Sequence, residues 1–424
     1  MSELSSQNCS PNSNYADQLS EQKQTIGKLF QNYSEQYIKQ FKPRKDQIDL
    51  IRSIRICGTP YLGSTKYTCK SCVNEHHVYL HCGNSHCMLC QSFKRMKWQA
   101  KLSARLYRVP YVHSTFTLPK SLRGLAKRNP KEIYNILFKS AWSSIQKVGE
   151  KLNCQMGMIA VLHTWGSDLK YHVHIHCLVT FGGLDDKGEW IWPKSSRRLA
   201  RYEKINKDYK KAFLKELKSA FEKKKLTYHL SYDQLLSQIE HVNWVVNNDW
   251  STENTEIIEA YLAKYINRSA VSKKRLSYDA DQCTVIITHK DYYNQVQGQP
   301  APYKQTKLSP LLAIDKILQH KLPPHFHRVR YYGLHHSTVE KKVKSKLQQS
   351  LKRNKDSTRI LFELLTKMIN QLNKSPKRVC PNCGYDKFDK QMVAGDSDWI
   401  YKSIANFQMN KSPPQAQAHY WYKN

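Results

Sequence analysis

The sequence predicts an α+β fold: an antiparallel sheet carrying helices, with a small cysteine-rich module in front of it. Two observations predict the sheet. The β-rich runs MGMIAVLHT and HVHIHCLVTF are separated by WGSDLKY, a length suited to a hairpin, and helical stretches are mixed with strands along the rest of the chain. A third predicts the module. Between Ile54 and Cys90 the chain is dense in Cys, His and Gly, with Tyr/Val alternation between the knuckles.

Residues 1–45 are polar and read as a loosely ordered lead-in with one short helix near IGKLFQNYSEQYIKQF. Residues 46–108 hold the cysteine module, 109–345 the main domain, and 346–424 a basic helix followed by a last CxxC pair. Within the main domain, RVPYVHSTFTLP has strand character and Pro119 ends it. A helix is expected over roughly Lys131 to Leu152, then the hairpin. The lysine-rich stretch KINKDYKKAFLKELKSAFEKKKL reads as a helical insertion spanning about 185–240. VNWVV and QCTVIITH read as strands, TEIIEAYLAKYINRSA as a helix, and LLAIDKILQHKLPPHFHRVRYYG as a helix stopped by Pro323 and Pro324 before a final strand.

The 424 residues, 40% of them apolar, are enough for one large or two to three ordinary domains with buried cores. Lys and Arg number 68 against 34 acidic residues, a net charge of +34 spread along the chain, which calls for a polyanionic partner. No run of 18 apolar residues and no signal-peptide pattern is present, so no membrane partner and a cytoplasmic location are expected, with nucleoid association through DNA. The 12 cysteines are then expected to be metal ligands rather than disulfides.

Cys69-x2-Cys72 and Cys87-x2-Cys90 have the spacing of a four-thiolate zinc ribbon, so Zn²⁺ is expected there. Cys57, His81, Cys82 and His86 lie close enough in sequence to replace a ligand or build a second site. Cys380 and Cys383 form half a ribbon, whose partner is either absent or in the front module.

His172, His174 and His176 recur at every second position of a hydrophobic strand and share one face. With 18 His in 424 residues, chance gives roughly 0.03 such triplets, which favours a metal site over a solvated polar face. Closing the hairpin around Gly166 to Leu169 sets His163 opposite His172 as a further candidate. In IIEAYLAKYINR, Tyr261 and Tyr265 stand one helical turn apart. The spacing alone is weak, because Tyr33/Tyr37, Tyr107/Tyr111 and Tyr228/Tyr232 share it.

The order of these motifs is distinctive. With FTLP at Phe116, HTWGSDLKYHVHIHCLV at His163, YLAKYINR at Tyr261, HKDYY at His289 and LQHKLPPHFHRVRYYG at Leu318, the chain resembles the two-tyrosine HUH transposases of the insertion-sequence ninety-one type. The resemblance runs from about Cys57 to His335 and includes the family's zinc-binding front module. It implies a Rep/relaxase-like nuclease sheet, with His174 and His176 as ligands of a catalytic Mg²⁺ or Mn²⁺ and His172 and His163 as auxiliary candidates. It also implies Tyr261 and Tyr265 as nucleophiles, nicking single-stranded DNA at element ends and rejoining it to target DNA through 5′-phosphotyrosine. Val173 stands where the family commonly has Pro, and Asn267 where it often has His. In single-tyrosine relatives a Gln one turn after the nucleophile completes the metal site; here Tyr265 and Ser269 stand one turn on, and the third ligand is left open. Rival readings are a plasmid replication initiator or relaxase of the same chemistry, or a non-enzymatic zinc-ribbon DNA-binding regulator.

Overall fold

The computed structural model describes residues 26–90, 106–107, 109–195, 198–242, 244–248, 275–292, 294–296, 299–339, 343, 380 and 382–395. In chain order the helices are α1 (Ile26–Phe41), α2 (Lys45–Ile56), α3 (Arg123–Arg128), α4 (Pro130–Leu152), α5 (Tyr202–Glu222), α6 (Tyr232–Ile239) and α7 (Pro310–Leu318). The strands are β1 (Ser64–Cys69), β2 (Glu75–Tyr79), β3 (Tyr111–Thr117), β4 (Gln155–Trp165), β5 (Tyr171–Leu184), β6 (Trp190–Ile191), β7 (Val246–Asn248), β8 (Leu276–Asp279), β9 (Thr284–Lys290), β10 (Tyr303–Leu308), β11 (Val329–Gly333) and β12 (Phe388–Val393). They fall into two compact units. None of the described helices is long and apolar enough to cross a membrane.

The first unit contains α1, α2, β1, β2, β8 to β10, α7 and β12. The helix expected near IGKLFQNYSEQYIKQF forms as α1, but it is packed rather than loosely ordered. Ile26, Leu29, Phe30, Tyr33 and Tyr37 form a buried stripe along α1, so this segment is a packed helix. Its tyrosines hold the later segment: the Tyr33 hydroxyl donates to Cys283 Sγ (3.4 Å) and the Tyr37 hydroxyl to Asp315 Oδ1 (2.9 Å). Residues 275–318 therefore pack with the N-terminal module and not in the continuous main domain expected over 109–345. Two three-stranded antiparallel sheets, β10-β9-β8 and β12-β1-β2, complete the unit.

The second unit is built on one antiparallel sheet in the order β11-β4-β5-β3-β7, with β6 added beside β5. Helix α4 starts at Pro130, whose fixed φ suits the first turn, and ends at Asn153 in the left-handed region (φ 52°). Its stripe of Ile133, Leu137, Ala141, Ile145 and Val148 lies on the sheet face made by Val112, Phe116, Met158, Ala160, Leu162, Val173, Ile175, Cys177 and Val179. On β5 alternate residues point to opposite faces, so His174, His176 and Leu178 belong to the other layer. That layer has its own core of Tyr107, Tyr111, Ile159, Val161, Leu178 and Leu334. Strand β5 is buried on both faces, which explains its nearly unbroken apolar spelling.

The lysine-rich stretch is not a peripheral insertion. Ile205, Tyr209, Phe213, Leu217 and Ala220 of α5 recur every three to four residues and join the same core as α4. Lys207, Lys211, Lys215 and Lys218 occupy the exposed face, so the amphipathic pattern is that of a core helix with a basic back. Phe213 lies edge-on to Trp244, with ring centroids 4.9 Å apart, and is fully buried. Phe213→Ala should destabilise the protein by about 3–5 kcal/mol in urea unfolding. A loss below about 1 kcal/mol would return α5 to the status of an appendage.

Candidate metal centres

Three clusters of metal-ligating side chains occur among the described residues: Cys57, Cys82, Cys87 and Cys90; Cys69, Cys72, Cys380 and Cys383; and His163, His174 and His176. Within each, the ligand atoms lie within 4.8 Å of one another.

The single ribbon of Cys69, Cys72, Cys87 and Cys90 does not form; its two pairs go to different clusters. The reason is local. Strands β1 and β2 pair antiparallel, with Ser64 opposite Tyr79 and Thr68 opposite Glu75, which turns Cys69 and Cys72 to one end of the hairpin. At the other end, Gly58 N–H donates to the Leu80 carbonyl (3.0 Å) and brings Cys57, just after α2, against the Cys82 to Cys90 loop. Cys90 Sγ is then 3.5 Å from Cys57 Sγ and 3.6 Å from Cys82 Sγ. Thiol hydrogen bonds from Cys57, Cys82 and Cys87 hold the Cys90 thiol well below its ordinary range, so a thiolate, the form zinc binds, is favoured there. Cys57 and Cys82, read from sequence only as extras, thus sit in the cluster itself. His81 Nδ1 lies 3.3 Å from Cys57 Sγ beside it, and His86 is outside it, bonded to the Ser85 hydroxyl (3.1 Å).

The histidine cluster depends on an irregularity in the β4–β5 pairing. Trp165 pairs with Tyr171, but between Trp165 and His163 the register shifts, and His163 pairs with His174. His163 therefore does not face His172, as the simple hairpin predicted. His172 is drawn aside: an Arg123 guanidinium N–H donates to its Nδ1 (2.9 Å), and its imidazole is lowered below the ordinary value by burial and then by that cation.

The two remaining strand histidines are oriented by their outer nitrogens. His174 Nδ1 lies 2.9 Å from the His172 carbonyl, which can only accept, so Nδ1 carries the hydrogen and Nε2 offers a lone pair. His176 Nδ1 lies 2.9 Å from His113 Nε2 and 3.3 Å from the Thr115 hydroxyl. Its own Nε2 then meets His174 Nε2 at 3.1 Å. His163 sits with its ring centroid 4.6 Å from that of His176 and stacks on Trp165 at 4.7 Å. The Arg328 guanidinium also lies over the Trp165 ring (5.0 Å), and its Nε–H donates to the Leu162 carbonyl (3.0 Å). The loop 166–170 is tied down by Gln319, whose amide donates to the Leu169 carbonyl (2.9 Å). Burial pushes the His174 imidazole down to about 3, which keeps it neutral, the state a metal ligand requires, at physiological pH.

Three buried imidazoles whose ligand atoms lie within 4.8 Å of one another fit a divalent transition ion such as Mn²⁺ better than the oxygen-seeking Mg²⁺. His113 and Thr115 were missed by sequence reasoning. They share a face of β3 at period two, but only the β3–β5 register, Thr115 opposite His176, shows what they touch. Tyr261 and Tyr265 lie outside the described residues. Of the other spaced tyrosines, Tyr33 and Tyr37 are engaged in α1 packing, and the Tyr107 hydroxyl donates to the Leu334 carbonyl (2.6 Å).

Comparison with known proteins fits this arrangement. A family model described as "Transposase zinc-binding domain" matches residues 29–118, and one described as "Putative transposase" matches 157–358. "Putative transposase y4qJ" of Sinorhizobium fredii is 29% identical over 322 residues, 73% of this chain and 79% of its own length. "Transposase for insertion sequence element IS801" of Pseudomonas savastanoi pv. phaseolicola is 27% identical over 316 residues, 73% of this chain and 75% of its own. Such a set of relatives, with a zinc-binding module in front of a mixed helix and antiparallel-sheet unit, is that of a DNA-cutting and DNA-joining enzyme. Both matched regions and both relatives are those of transposases, consistent with a transposase of the insertion-sequence ninety-one (IS91) family.

Two outcomes test the histidine geometry. His113→Ala should weaken Mn²⁺ binding about 10- to 100-fold by calorimetry, because His176 loses its orienting partner, whereas His172→Ala should change it only a few-fold. In metal-free protein, His174 is neutral when folded and has an ordinary value of about 6.5 when unfolded, so protons bind the unfolded chain first. Its contribution to stability is complete above about pH 6.5 and lost as pH falls toward 3. His174→Gln should flatten that part of the profile of unfolding free energy against pH.

Proposed function

We propose that this transposase is a metal-dependent strand transferase that nicks and rejoins single-stranded DNA at the ends of its element, as in rolling-circle transposition. The observation that carries the reading is the convergence of His163, His174 and His176 on one face of the sheet, two of them with Nε2 atoms 3.1 Å apart. His163, His174 and His176 would hold the ion, which when bound polarises a phosphodiester and neutralises its charge.

The chain's own residues do the rest. His113 and Thr115 orient the ring of His176, the His172 carbonyl fixes the tautomer of His174, and Trp165 stacks on the ring of His163. Tyr261 or Tyr265 supplies the nucleophile. Its phenolic oxygen, after losing its proton, attacks phosphorus; the bond from phosphorus to the 3′-oxygen breaks, and that oxygen leaves as a 3′-hydroxyl after taking up a proton. The 5′-phosphate stays on the tyrosine, so a later 3′-hydroxyl can displace it with no ATP. A second tyrosine permits a second cleavage while the first is occupied. Arginine and lysine excess, +34 over the chain, supplies affinity for phosphate backbones, and element-end and target DNA in the bacterial cytoplasm are the partners.

Incubation with single strands carrying the element ends and Mn²⁺ should give a covalent protein–DNA band on a denaturing gel. Tyr261→Phe with Tyr265→Phe should abolish it, each single variant should keep some cleavage, and His174→Ala or His176→Ala should remove cleavage while leaving binding largely intact. An adduct from the double tyrosine variant, or full activity in excess chelator, would overturn the reading. Binding itself should weaken with salt, with a log–log slope of about −0.7 per neutralised phosphate.

A further inference from the structure

The second cysteine cluster joins parts of the chain that the family models do not join. Cys69 and Cys72 lie in the matched front module, whereas Cys380 and Cys383 lie beyond both matched regions, 29–118 and 157–358. Cys69 Sγ is 3.6 Å from Cys383 Sγ, and Cys72 Sγ is 3.5 Å from Cys380 Sγ. Those separations are far longer than a disulfide of about 2.05 Å. They are close to the roughly 3.8 Å edge of a tetrahedron of sulfurs placed about 2.3 Å from one zinc ion.

The two halves are built alike. In the first, Val73 N–H donates to the Cys69 carbonyl (3.0 Å) and Cys69 N–H to the Asn74 carbonyl (2.9 Å). In the second, Gly384 N–H donates to the Cys380 carbonyl (2.8 Å) and Cys380 N–H to the Tyr385 carbonyl (2.7 Å). The residue after each second cysteine is left-handed: Gly384 at φ 72°, and Val73 at φ 56°, a conformation that costs a β-branched residue energy and persists only where its surroundings enforce it. Ser71 N–H also points at Cys69 Sγ (3.4 Å), as backbone amides do toward a sulfur that carries charge. Each half is therefore a CxxC turn shaped to present two sulfurs to one point.

The strand that leads into the first turn and the strand that follows the second are paired over their whole length. β12 lies against β1 from Cys69 opposite Phe388 to Ser64 opposite Val393. At the far end the backbones come so close that only glycine fits. A Cβ on Gly63, at φ 82°, would lie 2.5 Å from the Val393 carbonyl oxygen, and one on Gly395 would lie 2.1 Å from that of Tyr61. Phe388 packs edge-on to Tyr67 (6.0 Å) and His76 (5.2 Å).

We propose that Cys69, Cys72, Cys380 and Cys383 bind a second Zn²⁺ that staples the C-terminal segment 380–395 to the front module and makes β12 the third strand of its sheet. The ion would clamp one end of the β1–β12 pair and the Gly63–Gly395 contact would close the other. The cluster centred on Cys57 needs no residue beyond Cys90, so the two sites are separable. This proposal does not depend on the strand-transfer reading, and its readouts are zinc content and backbone protection, not activity.

Full-length protein purified under reducing conditions should hold two zinc ions per chain by native mass spectrometry, and Cys380→Ser with Cys383→Ser one. In that variant the amides of 388–393 should exchange at least 10-fold faster with deuterium, while those of 80–90 keep wild-type protection. Equal zinc content in the two proteins would overturn the proposal, as would undiminished protection of β12 in a variant that has lost a zinc. Should the double variant fold poorly, Gly395→Val provides a second test. It should loosen β12 at the glycine end while zinc content stays at two, and a wild-type protein with only one zinc would overturn the site by itself.

Discussion

The functional face of the second unit hangs on one irregularity in backbone pairing, the register shift between β4 and β5 beside Thr164. Side chains of directly opposed residues share a face, and a slip of one residue sends a side chain to the other face. Continued without the shift, the pairing of Trp165 with Tyr171 would set His163 opposite Val173, whose side chain enters the helix-covered core. The extra residue on β5 restores His163 to the face of His174 and His176. Trp165, on the loop side of the shift, then stacks on His163 instead of packing elsewhere. The anchors at Gln319 and Arg328 read as the means by which this local geometry is held, since both bond backbone carbonyls flanking it.

Burial organises the site as much as pairing does. His163, His174 and His176 are all buried, and an unpaired imidazolium there would carry a large desolvation cost. The sheet spends the second nitrogen of His174 on a carbonyl and that of His176 on a hydroxyl and another imidazole. One nitrogen of each of the three rings lies within 4.8 Å of the others. Two Nε2 atoms 3.1 Å apart can share a hydrogen or a cation, and it is the gathering of three imidazoles at one point, more than the count of histidines, that marks a metal centre.

The first unit follows a different logic. Its β-hairpin, five residues on the shorter strand, is too small to bury much apolar surface, and thiol clusters at both of its ends do the work that a core does in the second unit. Helix α1 extends the unit by covering β8 and α7 with Tyr33 and Tyr37, which is why residues far apart in sequence share it.

Much was legible in the sequence where periodicity and spacing carry the information. The α4 stripe, the β4–β5 hairpin and the alternation of histidines along β5 are properties of neighbours along the chain, and each has its element in the structure. The family was legible too, because the motifs occur in a characteristic order. What the sequence could not decide were choices between distant partners. Whether Cys72 joins Cys90 or Cys380 is fixed by which end of the β1–β2 hairpin each knuckle occupies. Whether α5 is insertion or core depends on the hydrophobic face it finds, since a lysine-backed amphipathic helix spells both alike. His163 reached His174 rather than His172 through a bulge, and His113 reached His176 through strand register, neither of which leaves a mark in local composition. One-dimensional pattern determined which residues could act; three-dimensional pairing decided which of them meet, because burial and backbone hydrogen bonding act on the whole sheet at once.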